Sequence, residues 1–166
     1  MAAYRIEQRI VSVSVLSLRG WITGQIYLGK INLFLDAVNA MPSFLKLANV
    51  AFQDGHTLGF LALQRNATQI IIPHESREMI ARKNPLETET KRVGCLLPSG
   101  SIEGELYLPP NIRVSDYMVK RKNYFVLHNT SGEIWHDGTE TQPGIFNESP
   151  AALVNAETLV GVTELV

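Results

Sequence analysis

The chain is poor in the features that usually declare a function. It has one cysteine, Cys95, in 166 residues, which excludes an internal disulfide and suits a reducing compartment. It has no apolar run approaching the ~18 residues of a membrane span, and its first ten residues, MAAYRIEQRI, carry charge where a signal peptide is apolar. A cytoplasmic, non-membrane protein is the expectation. It also has no excess of either charge: 15 Lys and Arg stand against 16 Asp and Glu, so no overall basic field exists to collect nucleic acid. Catalytic motifs are missing as well. There is no G-x-S-x-G, P-loop, dinucleotide fingerprint or H-E-x-x-H.

What is present is a repeated phrase. GWITGQIYL (20–28) returns as GSIEGELYL (100–108), and residues 20–49 align with 100–129 without a gap. Eight of these thirty positions are identical, where ordinary residue usage gives roughly two. They are Gly20/Gly100, Ile22/Ile102, Gly24/Gly104, Tyr27/Tyr107, Leu28/Leu108, Asp36/Asp116, Leu47/Leu127 and Asn49/Asn129. A weaker match, at an offset of ninety, lays ALQRNATQIII (62–72) on ALVNAETLVGV (152–162). Each copy is 70 to 80 residues long, too long for a solenoid unit and right for a small domain. The expected division is a first β repeat over 1–75 and a second over 76–166.

Period-two alternation dominates both copies and predicts strands. IVSVSVLSL (10–18) is apolar at both parities toward its end, as in a strand covered on both faces. A turn leads into WITGQIYL, and RVGCLLP, Ser99-Gly100 and SIEGELYL repeat the arrangement. Gly24 and Gly104 fall inside strands, which points to a bulge or tight bend. Short helical turns are expected around Asp36 and Asp116, with Ser115-Asp116 as caps. Third strands follow at FLKLANVAF and YFVLHNT, then strand pairs LGFLALQ/TQIIIP and PAALVN/TLVGVTEL across hairpin-sized gaps. HESREMIARKNP predicts a linker helix over 76–84, capped by Ser76 and stopped by Asn84-Pro85.

The fold class that follows is mainly β: two tandem five-stranded curled sheets or small barrels related by the internal repeat, with a short helix between them. The stretches SLRGWITGQIYL and LPSGSIEGELYL resemble the Sm-like family, in which an apolar strand, a turn glycine and a hydrophobic-x-G-x-hydrophobic strand follow one another. The resemblance implies a short helix before a bent five-stranded sheet, the linker helix serving the second copy. It does not carry the family's RNA site. Asp36 and Asp116 lie too far along, and Arg65-Asn66 and Asn155-Ala156 stand where an arginine-glycine pair would be required.

Candidate chemistry is sparse. His56, His74, His128 and His136 show neither helical spacing nor a nearby cysteine partner, so no metal or cofactor is expected. His128, His136 and Asp137 form the one loose group, and exposed turn histidines are the simpler account. Cys95, in VGCLLP, reads as a buried thiol. Asn49 and Asn129 are expected in turn roles at strand ends. The candidate binding or interface residues are Tyr27 and Tyr107, together with Arg113, Lys120, Arg121 and Lys122, a basic cluster that the first copy lacks. No catalytic residue is assigned and no enzyme is expected. The leading function is a non-catalytic interaction or scaffold protein that oligomerises through strand edges, its partner being another copy or another protein. Ahead of a hydrolase using His128, His136 and Asp137, which ranks last, two alternatives stand beside it. One is a small-ligand sensor with its site between the repeats, lined by Tyr27 and Tyr107. The other is a nucleic-acid-binding module using residues 113–122.

Overall fold

In the computed structural model, residues 9–121, 123–134 and 150–166 are described. They form one antiparallel sheet of ten strands that does not close on itself. The strands are β1 (Ile10–Ser17), β2 (Gly20–Tyr27), β3 (Phe44–Phe52), β4 (Thr57–Gln64) and β5 (Thr68–Pro73), then β6 (Glu89–Leu97), β7 (Gly100–Leu108), β8 (Tyr124–Ile134), β9 (Ala151–Asn155) and β10 (Gly161–Glu164). Their order across the sheet is β10-β6-β7-β8-β9-β5-β1-β2-β3-β4. The mainly β class is therefore as expected, and a single large sheet runs through both halves of the chain.

Three short helices accompany it: α1 (Phe34–Asn39), α2 (Arg77–Ile80) and α3 (Val114–Val119). The linker helix expected over 76–84 is only a single turn, α2. Ala81 leaves helical geometry at φ −148, ψ 150, so chain extension ends the helix before Asn84-Pro85 is reached. The turns around Asp36 and Asp116 are real helices, but neither is side-chain capped. Leu33 and Arg113 hold the N-cap positions, and the aspartates sit in the first turn. There they face the partial positive charge of the helix start.

The expected closing hairpins are absent. β4 pairs with β3, whereas β5 pairs with β1 and β9; β10 pairs with β6 rather than β9. The gap RNA is a 3-10 turn, Arg65–Ala67, which redirects the chain instead of folding it back on itself. The strand that leaves each half's edge thus returns to the other side of its own first strand.

The two halves meet at β5 and β9, where Ile70 lies opposite Val154 and Ile71 opposite Leu153. Every residue of both strands is buried. Successive side chains on a strand point to opposite faces, and here each face enters a different core. Val15, Ile71, Ala151 and Leu153 join one cluster with Ile26, Phe34 and Leu47. Leu16, Ile70, Ile72, Ala152 and Val154 join the other with Ile102, Leu106 and Leu127. Each core therefore borrows residues from the opposite half of the chain. Buried polar side chains complete the joint. The Gln69 amide donates to the Ser17 carbonyl at 3.0 Å and to Ser99 Oγ at 2.8 Å, tying the two hairpin turns together. The Asn155 amide donates to the Arg65 and Thr68 carbonyls, both at 2.9 Å. These bonds satisfy groups that would otherwise be costly to bury.

The strand registers slip at glycines that both copies share. The β2–β3 register slips between Thr23 and Gln25, and the β7–β8 register slips between Glu103 and Glu105. In each case one extra residue is carried by the facing strand, a bulge. Opposite Gly24 and Gly104 lie Asn49 and Asn129, both at φ 51. The asparagines are therefore mid-strand bulge residues, not the strand-end turn residues expected. Asparagine tolerates this left-handed conformation better than most residues. A Cβ on Gly104 would come within 3.0 Å of the His128 carbonyl oxygen and of Leu127 Cβ, so only glycine lets the strands cross this closely.

Candidate interaction edges

An open sheet leaves two edge strands, and here they differ in chemistry. β4, TLGFLALQ, has β3 on one side and no strand on the other among the described residues. None of its eight residues is charged. Leu61 and Leu63 turn partly toward the first core, while Leu58 is 45% and Phe60 59% exposed. Natural edge strands are usually blunted by charge, proline or shortness, and β4 has none of these. About half of each side chain is still exposed, so covering either one would contribute about 0.7–1.8 kcal/mol.

The opposite edge, β10, has four residues and ends in Glu164, whose carboxylate lies 3.3 Å from Lys91 Nζ. A groove of about 440 Å³ runs beside it, lined by Gly94, Leu96, Glu103, Gly161 and Leu165 among others. Two of its lining residues, Gly94 and Gly161, present no side chains. Neither Tyr27 nor Tyr107 lines it.

The candidate residues named from the sequence scatter over this framework. Tyr27 ends β2, half exposed, opposite Ile10. Tyr107 lies on β7 opposite Thr90. The sheet order puts β8, β9, β5 and β1 between their strands. Arg113 and Lys120 are the N-cap and C-cap residues of α3, and the Arg121 guanidinium lies over the Tyr117 ring at 4.1 Å. Lys122, His136 and Asp137 lie outside the described residues. The structure thus sets Arg113, Lys120 and Arg121 around one short helix and leaves the two tyrosines apart.

Around Tyr107 the second half is more polar and more charged than the matching place in the first. Its ring stacks on His128 with centroids 4.3 Å apart. The Asn129 amide donates to Glu105 Oε2 at 3.0 Å, and Arg77 donates to Asn129 Oδ1. At the matching first-half positions Asn49 donates to Gln25 at 2.8 Å, and Ala48 stands where His128 does. Burial, then the nearby Arg77 charge, hold the His128 pKa below the usual imidazole value, with Glu105 opposing. Burial pushes the Cys95 thiol up to about 12, so it is an inert core group as expected. His56 pairs with Asp54 at 2.7 Å on an exposed turn, and His74 lies 3.5 Å from Ser14 Oγ. Among the described residues, no group of three or more His, Cys, Asp or Glu could hold a metal ion, and no helix is long and apolar enough to cross a membrane.

Leu58 and Phe60 escaped the sequence reading, although the signal was there: an eight-residue strand without a charge in a chain that is 19% charged. No family model, curated protein or solved structure matches the chain.

Proposed function

We propose that this chain is a non-catalytic interaction or scaffold protein, built from two related Sm-like units and associating through its strand edges. The observation that carries the reading is β4: an uncharged edge strand, paired with β3 on one side and with no strand on the other among the described residues, that exposes Leu58 and Phe60. Such a strand offers backbone donors and acceptors for pairing and apolar side chains for burial, which is how strand addition recruits a partner.

Support for two related units comes from corresponding features of the halves. Written from the joint outward, the first half runs β5-β1-β2-β3-β4; the second runs β10-β6-β7-β8-β9 from its free edge to the joint. Relabelled within each half, these are the same order, 5-1-2-3-4. The bulges recur at Thr23/Gln25 and Glu103/Glu105, with asparagine at φ 51 in both facing strands. Duplication of one unit accounts for all of these together. In this reading the repeated Gly, Asn and Tyr positions preserve a shape rather than a pair of reaction centres.

Light scattering at low and high salt tests the proposal. A mass above that of one chain, unchanged by salt, is expected, because backbone pairing and apolar burial are not screened as surface charges are. A single-chain mass at every concentration, with no partner strand bound, sinks it. Salt-sensitive binding of nucleic acid that is lost on neutralising Arg113, Lys120 and Arg121 would instead favour the basic segment.

A further inference from the structure

Resting on the edge-association reading, we infer that the occupant of β4 is β4 of a second copy, paired antiparallel about a two-fold axis near Phe60 and Leu61. Three observations on the two edges point there. The first is charge. TLGFLALQ carries none, so the strand meets its own twin without like-charge repulsion, whereas β10 ends in Glu164, already engaged by Lys91. The second is length. Two eight-residue strands match along their whole span, whereas β10 offers only four residues to a neighbour. The third is placement. Phe60, the most exposed aromatic of the described core elements at 59%, stands next to the midpoint of its strand. A two-fold axis there brings the two copies of Phe60 to the centre of the contact, with Leu58 of each copy near its flank.

The chain already contains a joint of this type. β5 and β9, TQIIIP and AALVN, are both free of charge and meet edge to edge with apolar side chains buried on both faces. A symmetric β4–β4 contact repeats that chemistry between molecules. It is isologous: each copy gives and receives the same surface, so the assembly closes at two chains. The ten-stranded sheet of each copy would then continue into the next.

The test is sedimentation equilibrium on the full chain over a hundredfold concentration range, with two variants. The wild type is expected to plateau at twice the mass of one chain. The double variant Leu58→Lys, Phe60→Lys is expected to fall to one chain with an unchanged far-ultraviolet circular dichroism spectrum. Thr163→Lys, on β10, is expected to leave the two-chain mass intact. A mass that keeps growing past two chains and collapses in Thr163→Lys would mean that β4 pairs with β10 of the next copy. That overturns this inference and leaves the edge-association reading standing. One chain at every concentration overturns this inference, and it overturns the edge-association reading as well only when no partner strand binds β4. Should the double variant not fold, backbone amide exchange of residues 57–64 in the wild type decides. Slowing of those amides as concentration rises supports the contact, and no change overturns it.

Discussion

Replacing Ile71 with alanine tests whether the two halves are one cooperative unit. Ile71 is fully buried on β5, opposite Val15 on one side and Leu153 on the other, and belongs to the first core. Truncating such a residue costs about 2–5 kcal/mol, a large share of the roughly 5–15 kcal/mol that holds a domain folded. Its neighbours Ile70 and Ile72 belong to the second core. Losing β5 therefore opens both cores, and the damage cannot stay in the first. Trp21 is a convenient reporter, since it is buried in the second core although its strand, β2, lies in the first half. In a Trp135→Phe background, urea unfolding can be followed by Trp21 fluorescence and by far-ultraviolet circular dichroism. With a denaturant slope of about 2 kcal/mol per molar, the midpoint should fall by about 1–2.5 M in both signals, which should remain superimposable. Ile70→Ala should do the same from the other face. If Ile71→Ala splits the dichroism transition in two, with the Trp21 signal following only the earlier step, the halves unfold independently and the shared-core account is wrong.

Other substitutions probe the local devices. Gly104→Ala forces a Cβ to within 3.0 Å of backbone and side chain and should cost about 1–3 kcal/mol. Gly24→Ala, where the nearest atom is at 3.3 Å, should cost measurably less in the same thermal melts. At Asn49 or Asn129, exchange for glycine should be close to neutral, whereas valine should destabilise by about 1–2 kcal/mol, because φ is 51 at both positions. Cys95 should resist thiol reagents at pH 8 until the protein unfolds. Its raised pKa also sets a sign. The unfolded thiol ionises from about pH 8.5 upward while the folded one waits until about 12, so stability falls as pH rises through that window. Comparison with Cys95→Ala, which removes this dependence, isolates it from other groups.

Much of the fold was legible because it is local. Alternation located the strands, and the glycines at 24 and 104 announced bulges, since each feature depends on residues near it in sequence. What escaped depends on distant pairing. Nothing in TQIIIP states that it leaves β4 and lies between β1 and β9; three residues between strands suit a hairpin, and only the 3-10 turn at Arg65–Ala67 sends the chain elsewhere. The same holds for Asn49 and Asn129. Asparagine marks turns and bulges alike, and the choice is made by the strand it faces. TQIIIP nevertheless held a clue of another kind. Its three consecutive isoleucines suit a strand with apolar surroundings on both faces, and a small curled sheet with one core has no place for such a strand. A second core on its other side is required, and Ile70 and Ile72 find it in the opposite half of the chain. By the same logic TLGFLALQ, apolar at both parities and free of charge, is a strand whose second covering is missing within the described chain. The internal joint shows what such a strand accepts, another uncharged strand edge. The demand that β5 satisfies inside the molecule is the one β4 carries to its surface.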